Sequence, residues 1–501
     1  MKNQDFIKHL NQSTDHELVI SSSKENTFEI DFNVPEERDQ FKLDPLFSDH
    51  MVLQANRTIT ISGRYKTDGP IAVVFAHKTF FSEVHEGIFT FELGEFPHGG
   101  PFELELYTKQ SKYVLHDIYI GEVYVMSGQS NMAITLNQIR EHANHYYQDK
   151  IVKDKDLIHS DHIRFFQVCA YGTGEGQNEF HCNERPKWSI LNSSNYLDIS
   201  ATAFYFAQEL MDLFPVPIGL VLVAVGATIT STWIPNEEAK TIDQTYIKNE
   251  TDSDTPSRFY NGMIYPLRTF RFAGVIWYQG EGQHVHYKEN MEKLIYGWRK
   301  DFNDPSLKFL IIELPRIDFD MGYTKDSWFE VRKQQKELSR LTNVFYSVSI
   351  DFGIKESETN DPMHPFDKDL IGKRAAHACI KYFYNKHGIW SSPELKLIRY
   401  KDDKVIIELN EVGESIILKS LKAGFEVSND GSTFYYAEPK IVGKTTIELK
   451  SKIKGITEVR YGYTYQVKEV FGGDGYPPKL SDLVCVYNSE GYPLDQFWIK
   501  L

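Results

Sequence analysis

Hydrophobic and polar positions form three successive patterns along the chain. Between residues 41 and 120, segments 58–62 and 102–107 alternate, and segment 71–76 is a short apolar run. Glycine and proline separate these segments, as is typical of an all-β region. We therefore predict an N-terminal β-sandwich module over residues 36–120, preceded by a polar leader over residues 1–35.

From residue 121 to residue 390, apolar runs of strand length alternate with helical segments. The predicted strands are 123–126, 163–168, 218–224, 274–278, 309–313 and 344–350, and the predicted helices are 201–213, 287–302, 328–341 and 368–384. Short apolar strands separated by helices indicate an α/β fold with a parallel sheet flanked by helices. Ligands of such sheets bind beyond the carboxyl ends of the strands.

After residue 391 the strand pattern returns. Segments 405–409 and 445–449 are rich in β-branched residues, and an Asn-Asp-Gly turn lies at 429–431. These signals predict a C-terminal β-sandwich-like module over residues 391–501. The whole chain is thus predicted as an α/β domain over residues 121–390 with a β module on either side.

Composition narrows the range of partners. The 501 residues include 41% apolar and 25% charged residues, which is ordinary for a globular protein. The formal net charge is −15, and no dense run of lysine and arginine occurs. We therefore expect neither nucleic acid nor an anionic membrane surface as a partner. The sequence does not indicate an oligomeric state.

Four cysteines occur, at positions 169, 182, 379 and 485, with no Cys-x-x-Cys spacing. This pattern argues against a zinc ribbon and against a secreted scaffold held by disulfides, so we expect reduced thiols. The first twenty residues contain charged side chains and lack the apolar segment of a signal peptide. Together these features predict a cytoplasmic protein.

The motif Gly-Gln-Ser-Asn-Met at 128–132 directly follows a predicted strand and precedes a helix-compatible stretch. A serine in such a turn stands above the carboxyl edge of the sheet, where its own N–H points at developing negative charge. Ser130 is therefore a candidate nucleophile. The alternative is that Ser130 only caps the following helix, which is a common role for serine.

The stretch 121–132 resembles the entry motif of the sialate O-acetylesterase family, a branch of the SGNH hydrolases. Segments 46–54 and 488–494 also resemble the start and end of that family, so the resemblance extends from about residue 41 to the C-terminus. In this alignment Ser130 takes the place of the nucleophile and Ser127 does not. The resemblance implies an SGNH-like parallel sheet and an esterase that needs no cofactor.

A base and its orienting acid are predicted at 361–365, Asp-Pro-Met-His-Pro. The proline disfavours helix at Asp361, so the pair lies on a loop ahead of the helix at 368–384. The resemblance implies that His364 is the general base and Asp361 its orienting acid. The spacing also arises by chance, and many relatives have the aspartate one residue closer. Asp351 and Glu358 remain alternative acids.

The negative charge on an acetyl carbonyl requires fixed donors. The N–H of Ser130 is one, and the resemblance implies the N–H of Gly226 and the side chain of Gln279 as the others. The Gln279 segment resembles the family's Trp-Tyr-Gln-Gly-Glu block. Glu281 is expected to fix Gln279 or a neighbouring loop, and the residues flanking the serine, Gln129 and Asn131, are expected to support it.

Two departures from the family pattern are visible. Ala227 replaces a second glycine after Gly226, and Gly226 itself has the alternative of a plain turn that ends a strand. Gly282 and Gln283 stand where the family usually has Ser-Asn, which changes the local substrate contacts.

Other residue groups are interpreted conservatively. His284 and His286, with His181 and Cys182, are expected to be ordinary loop residues, so no metal is predicted. The segment 172–176, Gly-Thr-Gly-Glu-Gly, lacks the spacing of a phosphate loop. Three aromatic residues near strand ends could stack on a sugar but are more typical of a core; they are Trp233, Trp277 and Tyr278.

The combined hypothesis is a serine esterase, a carboxylic ester hydrolase that removes O-acetyl groups from sugars through an acyl-enzyme and works without metal or cofactor. The resemblance implies O-acetylated sialic acid as substrate. Acetylated xylan or another oligosaccharide is the alternative substrate. A non-catalytic carbohydrate-binding protein is the alternative of a different class.

Overall fold

The structure is a computed structural model that describes residues 28–143, 145–158, 160–242, 255–282, 285–316, 327–352, 363–388, 391–419, 424–463 and 484–501. Most of the predicted polar leader therefore lies outside the described residues. Secondary structure is mixed, with strands at both ends of the chain and alternating strands and helices between them.

Within the described residues, the strands are β1 Phe41–Leu43, β2 Val52–Gln54, β3 Ile59–Tyr65, β4 Gly69–Phe75, β5 Lys78–Val84, β6 Ile88–Gly94, β7 Gly99–Tyr107, β8 Lys112–Gly128, β9 Ile163–Gln167, β10 Trp188–Ile190, β11 Ile218–Ala224, β12 Gly274–Tyr278, β13 Lys308–Ile312, β14 Val344–Ser347, β15 Glu394–Lys401, β16 Lys404–Asn410, β17 Ile417–Leu418, β18 Phe425–Ser428, β19 Tyr435–Tyr436, β20 Glu438–Ile441, β21 Thr446–Lys450, β22 Glu458–Tyr461, β23 Val486–Tyr487 and β24 Phe497–Lys500.

The α-helices of the described residues are α1 Ser130–Ala133, α2 Leu136–His142, α3 His145–Lys153, α4 Ala201–Leu213, α5 Asn236–Ala239, α6 Tyr287–Asp301, α7 Ser327–Leu338 and α8 Lys368–Tyr384. A π-helical turn spans Tyr260–Ile264, and short 3-10 turns span Arg38–Gln40, Asp154–Leu157, Tyr196–Asp198, Thr230–Trp233 and Tyr265–Leu267.

The largest sheet is built around β8. Six parallel strands lie in the order β9, β11, β8, β12, β13, β14, and β10 adds an antiparallel edge beside β9. Every residue of β12 is buried, so both faces of the sheet are covered there. This is the parallel sheet that alternating apolar runs and helices predict, and the predicted bounds of β11, β12, α4 and α8 agree with the structure.

Strand β8 is longer than predicted, because the sequence indicated only its last part. Its first half pairs with β7, and its second half pairs in parallel with β11 and β12. The strand therefore runs across residue 120, where the pattern of the sequence predicts a boundary, and one hydrophobic core extends from Phe41 to Phe383. The division into modules stays a prediction.

Helices α4 and α8 pack closely against each other beside the sheet. The close approach occurs at Gly372 of α8, where an added Cβ would lie 2.8 Å from the backbone nitrogen of Phe206 in α4. A larger side chain at this position would push the helices apart. The packing fixes the N-terminal end of α8, which begins at Lys368, relative to the sheet.

The C-terminal strands have a core of their own, which includes Val405, Val427 and Val459. They form two four-stranded antiparallel sheets, with the orders β15-β16-β21-β20 and β19-β18-β22-β24, and β17 pairs with β23. The predicted strands at 405–409 and 445–449 correspond to β16 and β21.

The expectation of four reduced cysteines was wrong. Cys169 and Cys182 form a disulfide bond with their Cα atoms 5.9 Å apart, whereas Cys379 and Cys485 are buried thiols. The bond closes the loop that follows β9, and contact between its two ends depends on that loop's conformation rather than on sequence spacing. One of the two grounds for a cytoplasmic location is thereby removed, and the location stays a prediction.

No helix among the described residues is long and apolar enough to cross a membrane.

A substitution at Gly128, the last residue of β8, tests the close packing of β8 against β12. Its φ is +140°, and an added Cβ would lie 2.0 Å from the carbonyl oxygen of Tyr278 on β12. We predict that Gly128→Ala lowers the free energy of unfolding by about 3 kcal/mol or more, measured by urea denaturation. Gly282→Ala is the control, because an added Cβ there meets no atom within 4 Å. Equal stability of the two variants would contradict the close contact.

Candidate active site

Three of the predicted site loops begin at the same level of the sheet. In the strand register Gly128 lies beside Ala224 of β11 on one side and beside Tyr278 of β12 on the other. The turns that follow these residues carry Ser130, Gly226 and Gln279. Because parallel strands end at a common edge, the three turns converge there.

Ser130 is half-buried and is the first residue of α1. The N–H of a first helical residue has no carbonyl one turn earlier to bond, so it remains available to a ligand. Gly226 lies directly against this serine, since a Cβ added to Gly226 would be 3.5 Å from the Cβ of Ser130. The structure thus brings together the predicted nucleophile and one predicted backbone donor.

Gln279 is completely buried, with 0% of its surface exposed. Its Nε2 donates to the carbonyl oxygen of Thr228 at 3.2 Å, and its Oε1 accepts from the Thr230 hydroxyl at 2.9 Å. The side chain therefore links the end of β12 to the turn after Gly226. An amide nitrogen carries two hydrogens, and the bond to Thr228 uses one of them.

Both residues that flank Ser130 bond the loop after β12. The Oε1 of Gln129 accepts from the N–H of Gly280 at 3.3 Å, and the N–H of Gln129 donates to the carbonyl of Tyr278 at 3.1 Å. On the other side, the Nδ2 of Asn131 donates to the Oε1 of Glu281. The serine turn is therefore fixed to β12 from both sides.

Asn131 also connects the serine turn to the predicted base. Its Nδ2 donates to the carbonyl oxygen of Met363 at 3.1 Å, and Met363 is the residue before His364. His364 is half-buried. Neither the sequence spacing nor the helix pattern indicated this bond, which links residues more than two hundred positions apart.

Glu281 is buried beside these groups, with 2% of its surface exposed. Burial raises the pKa of its carboxyl, while the hydrogen bond from Asn131 and the charges of Lys368 and His364 act in the opposite direction. Glu281 was predicted to fix Gln279 or a nearby loop. Its side chain contacts Asn131 instead, so the loop that it fixes is the serine turn.

Asp361, the predicted orienting acid, and the alternative Glu358 lie outside the described residues. Asp351, the other alternative, is described. Both of its oxygens bond the guanidinium of Arg374, with Nη2 and Oδ2 2.9 Å apart. This bidentate ion pair ties Asp351 to α8.

Lys368 is a site residue that the sequence did not reveal. It begins α8, is fully buried, and donates from Nζ to the Oδ1 of Asn131. A lysine in the first turn of a helix is ordinarily solvated, and its charge is unfavourable there. No local pattern therefore distinguished it from a surface lysine.

The conservative interpretation of the aromatic residues is confirmed. Trp233, Trp277 and Tyr278 each have 0% of their surface exposed, and the rings of Trp233 and Trp277 meet edge to face at 6.3 Å. They belong to the core and do not line a sugar site. Among the described residues, no group of three or more His, Cys, Asp or Glu side chains could hold a metal ion; Gln283 and His284 lie outside them.

Comparison with known proteins decides the family. The family model described as "Carbohydrate esterase, sialic acid-specific acetylesterase" matches residues 120–381, slightly more than half of the chain. The chain belongs to this family. It is therefore a carboxylic ester hydrolase of the carbohydrate esterase class, and the alternative of a non-catalytic binding protein is set aside.

Individual relatives have low sequence identity to this chain, but the similarity extends over about two thirds of its length or more. The sialate O-acetylesterase of Mus musculus is 24% identical over 428 residues, which are 73% of this chain and 77% of the mouse protein. The human sialate O-acetylesterase is 24% identical over 375 residues, 67% of this chain and 69% of that protein.

Among solved structures, the chain is similar to a carbohydrate acetylesterase from Xanthomonas citri, with a TM-score of 0.78 and 23% identity. The match covers 92% of this chain and 99% of the other. At this identity the likeness shows a shared fold.

Proposed function

We propose that Ser130 is the nucleophile of a sugar O-acetylesterase and that His364 is its general base. The bond from Asn131, the residue after Ser130, to the carbonyl of Met363, the residue before His364, carries this proposal. It joins the two loops that must lie together for an imidazole to take the proton of a serine hydroxyl.

The oxyanion of the tetrahedral intermediate would rest on three N–H groups. Two are backbone donors, Ser130 at the start of α1 and Gly226 against the serine. The third is the amide of Gln279, whose second Nε2 hydrogen is free of the bond to Thr228. Fixed donors of this kind stabilise charge without reorganisation during the reaction.

In this mechanism the Oγ of Ser130 attacks the acetyl carbonyl carbon while His364 accepts the hydroxyl proton. The intermediate collapses as His364 returns the proton to the departing sugar oxygen, and an acetylated Ser130 remains. His364 then activates water, which releases acetate and restores the serine. Asp361 is proposed to orient the imidazole, as the acid of a catalytic triad does.

We also propose that the sheet order around β8 is that of the SGNH hydrolases, with β-sandwich-like modules over 36–120 and 391–501. Support comes from the position of Ser130 after β8, a strand with parallel partners on both sides. The proposed base lies after β14, the edge of the parallel sheet.

Sialic acid O-acetyl esters are the proposed substrate class. Support comes from the description of the matched family and from the names of the mouse and human relatives. The carbohydrate acetylesterase that shares the fold leaves other acetylated sugars as the second candidate.

Ser130→Ala tests the mechanism. We predict that it lowers kcat on an aryl acetate by roughly a thousandfold or more with little change in stability, because no other group replaces the nucleophile. Ser127→Ala is the matched control, since the Ser127 hydroxyl is buried in β8 without a hydrogen-bond partner among the described residues. Activity of Ser130→Ala within about tenfold of the wild type would overturn the assignment.

Acetate release from a substrate panel tests the proposed specificity. Wild-type protein is compared on O-acetylated sialic acids and on acetylated xylo-oligosaccharides at matched concentration. We predict that kcat/KM is at least about tenfold higher for the sialic acid esters, a difference of about 1.4 kcal/mol in transition-state binding. A preference for the xylo-oligosaccharides would move the substrate assignment to the second candidate.

A further inference from the structure

Lys368 occupies an unusual environment for a lysine. It is 0% exposed, and it lies at the first position of α8, where the helix dipole disfavours a cation. A buried ammonium group requires partners, because removal of a charge from water costs several kcal/mol. The groups around Lys368 must therefore stabilise its charge.

The ammonium group contacts Asn131 and the ring of Tyr278. Its Nζ donates to the Oδ1 of Asn131, and it lies 5.2 Å from the ring centroid of Tyr278. On the far side of the Asn131 amide, Nδ2 donates to the buried carboxylate of Glu281. Asn131 thus bridges the ammonium group and the carboxyl of Glu281. Burial raises the pKa of that carboxyl, and the charge of Lys368 opposes the rise.

These opposite charges fix the orientation of the Asn131 amide. An ammonium group only donates and a carboxylate only accepts, so the amide oxygen faces Lys368 and the amide nitrogen faces Glu281. In this orientation the second Nδ2 hydrogen bonds the carbonyl of Met363. A rotation of the amide by half a turn would place its oxygen against the oxygens of Glu281 and Met363.

We propose that Lys368 and Glu281 are positioning residues that act on the Ser130 and His364 loops through Asn131. The two charged groups, one at each end of the amide, hold it in the one orientation that joins the two loops. This inference rests on the proposed roles of Ser130 and His364 and adds the device that keeps them together.

Lys368→Met and Glu281→Gln test the proposal, since each removes one charge and preserves side-chain volume. We predict that each lowers kcat on an aryl acetate by about 10- to 100-fold, because a small misplacement of a catalytic group is that costly. KM is expected to stay within about twofold, since both side chains are buried away from the surface that a substrate meets. Lys373→Met is the control; Lys373 lies on the same helix, pairs with Glu209, and has 46% of its side chain exposed.

The double variant Lys368→Met with Glu281→Gln tests whether the two charges act together through Asn131. We predict that its kcat is reduced by less than the product of the two single reductions, because no charge is left buried without its partner. Glu281→Gln keeps an oxygen for Asn131 and is expected to fold, so it decides the question if Lys368→Met does not. Thermal unfolding of each variant shows whether the measured protein is native.

Three results would overturn the inference. One is a kcat for Glu281→Gln or for folded Lys368→Met within twofold of the wild type. Another is a raised KM with kcat unchanged. The third is a kcat reduction in the double variant that equals the product of the two single reductions. Each of these leaves the roles of Ser130 and His364 intact if Ser130→Ala is inactive, whereas an active Ser130→Ala removes the mechanism on which the inference rests.

Discussion

The close contact between Gly128 and the carbonyl of Tyr278 determines the arrangement of the whole site. Only a residue without Cβ fits where β8 ends against β12, since an added Cβ would be 2.0 Å from that oxygen. The chain consequently turns sharply into α1 and presents Ser130 above the sheet edge. Because β8 also pairs with β11, the same junction places the turn with Gly226 on the other side of the serine.

Around this junction, polar groups replace the hydrogen bonds that the sheet no longer supplies. Gln129 bonds the N–H of Gly280, Gln279 bonds Thr228, and Asn131 reaches both Glu281 and Met363. Buried polar groups are costly without partners, so the bonds that these side chains make favour one loop arrangement. The family of carbohydrate esterases to which the chain belongs cleaves esters, and such chemistry requires loops held in this manner.

Periodicity predicted the sheet well where strands are buried on both faces. The bounds of β11 and β12 matched because their apolar runs are continuous, whereas β14 ends at Ser347, before its predicted end. Beyond it, the N–H of Ser349 bonds the side chain of Glu313 instead of a neighbouring strand. The site residues that the motifs predicted are largely brought together. Lys368 was not predictable because its partner Asn131 is distant in sequence. The disulfide of Cys169 with Cys182 was not predictable because it depends on the conformation of the loop between them.

We propose that acetyl transfer passes through Ser130. Acid quenching during turnover of an aryl acetate, followed by proteolysis and mass spectrometry, locates the transferred acetyl group. We predict that one acetyl group is found on the peptide that contains Ser130. In a His364→Ala variant acetylated by an activated ester, this acetyl group is expected to persist longer, because the base that activates water for its release is missing. Turnover without acetylation of that peptide, or acetylation confined to another residue, would contradict it.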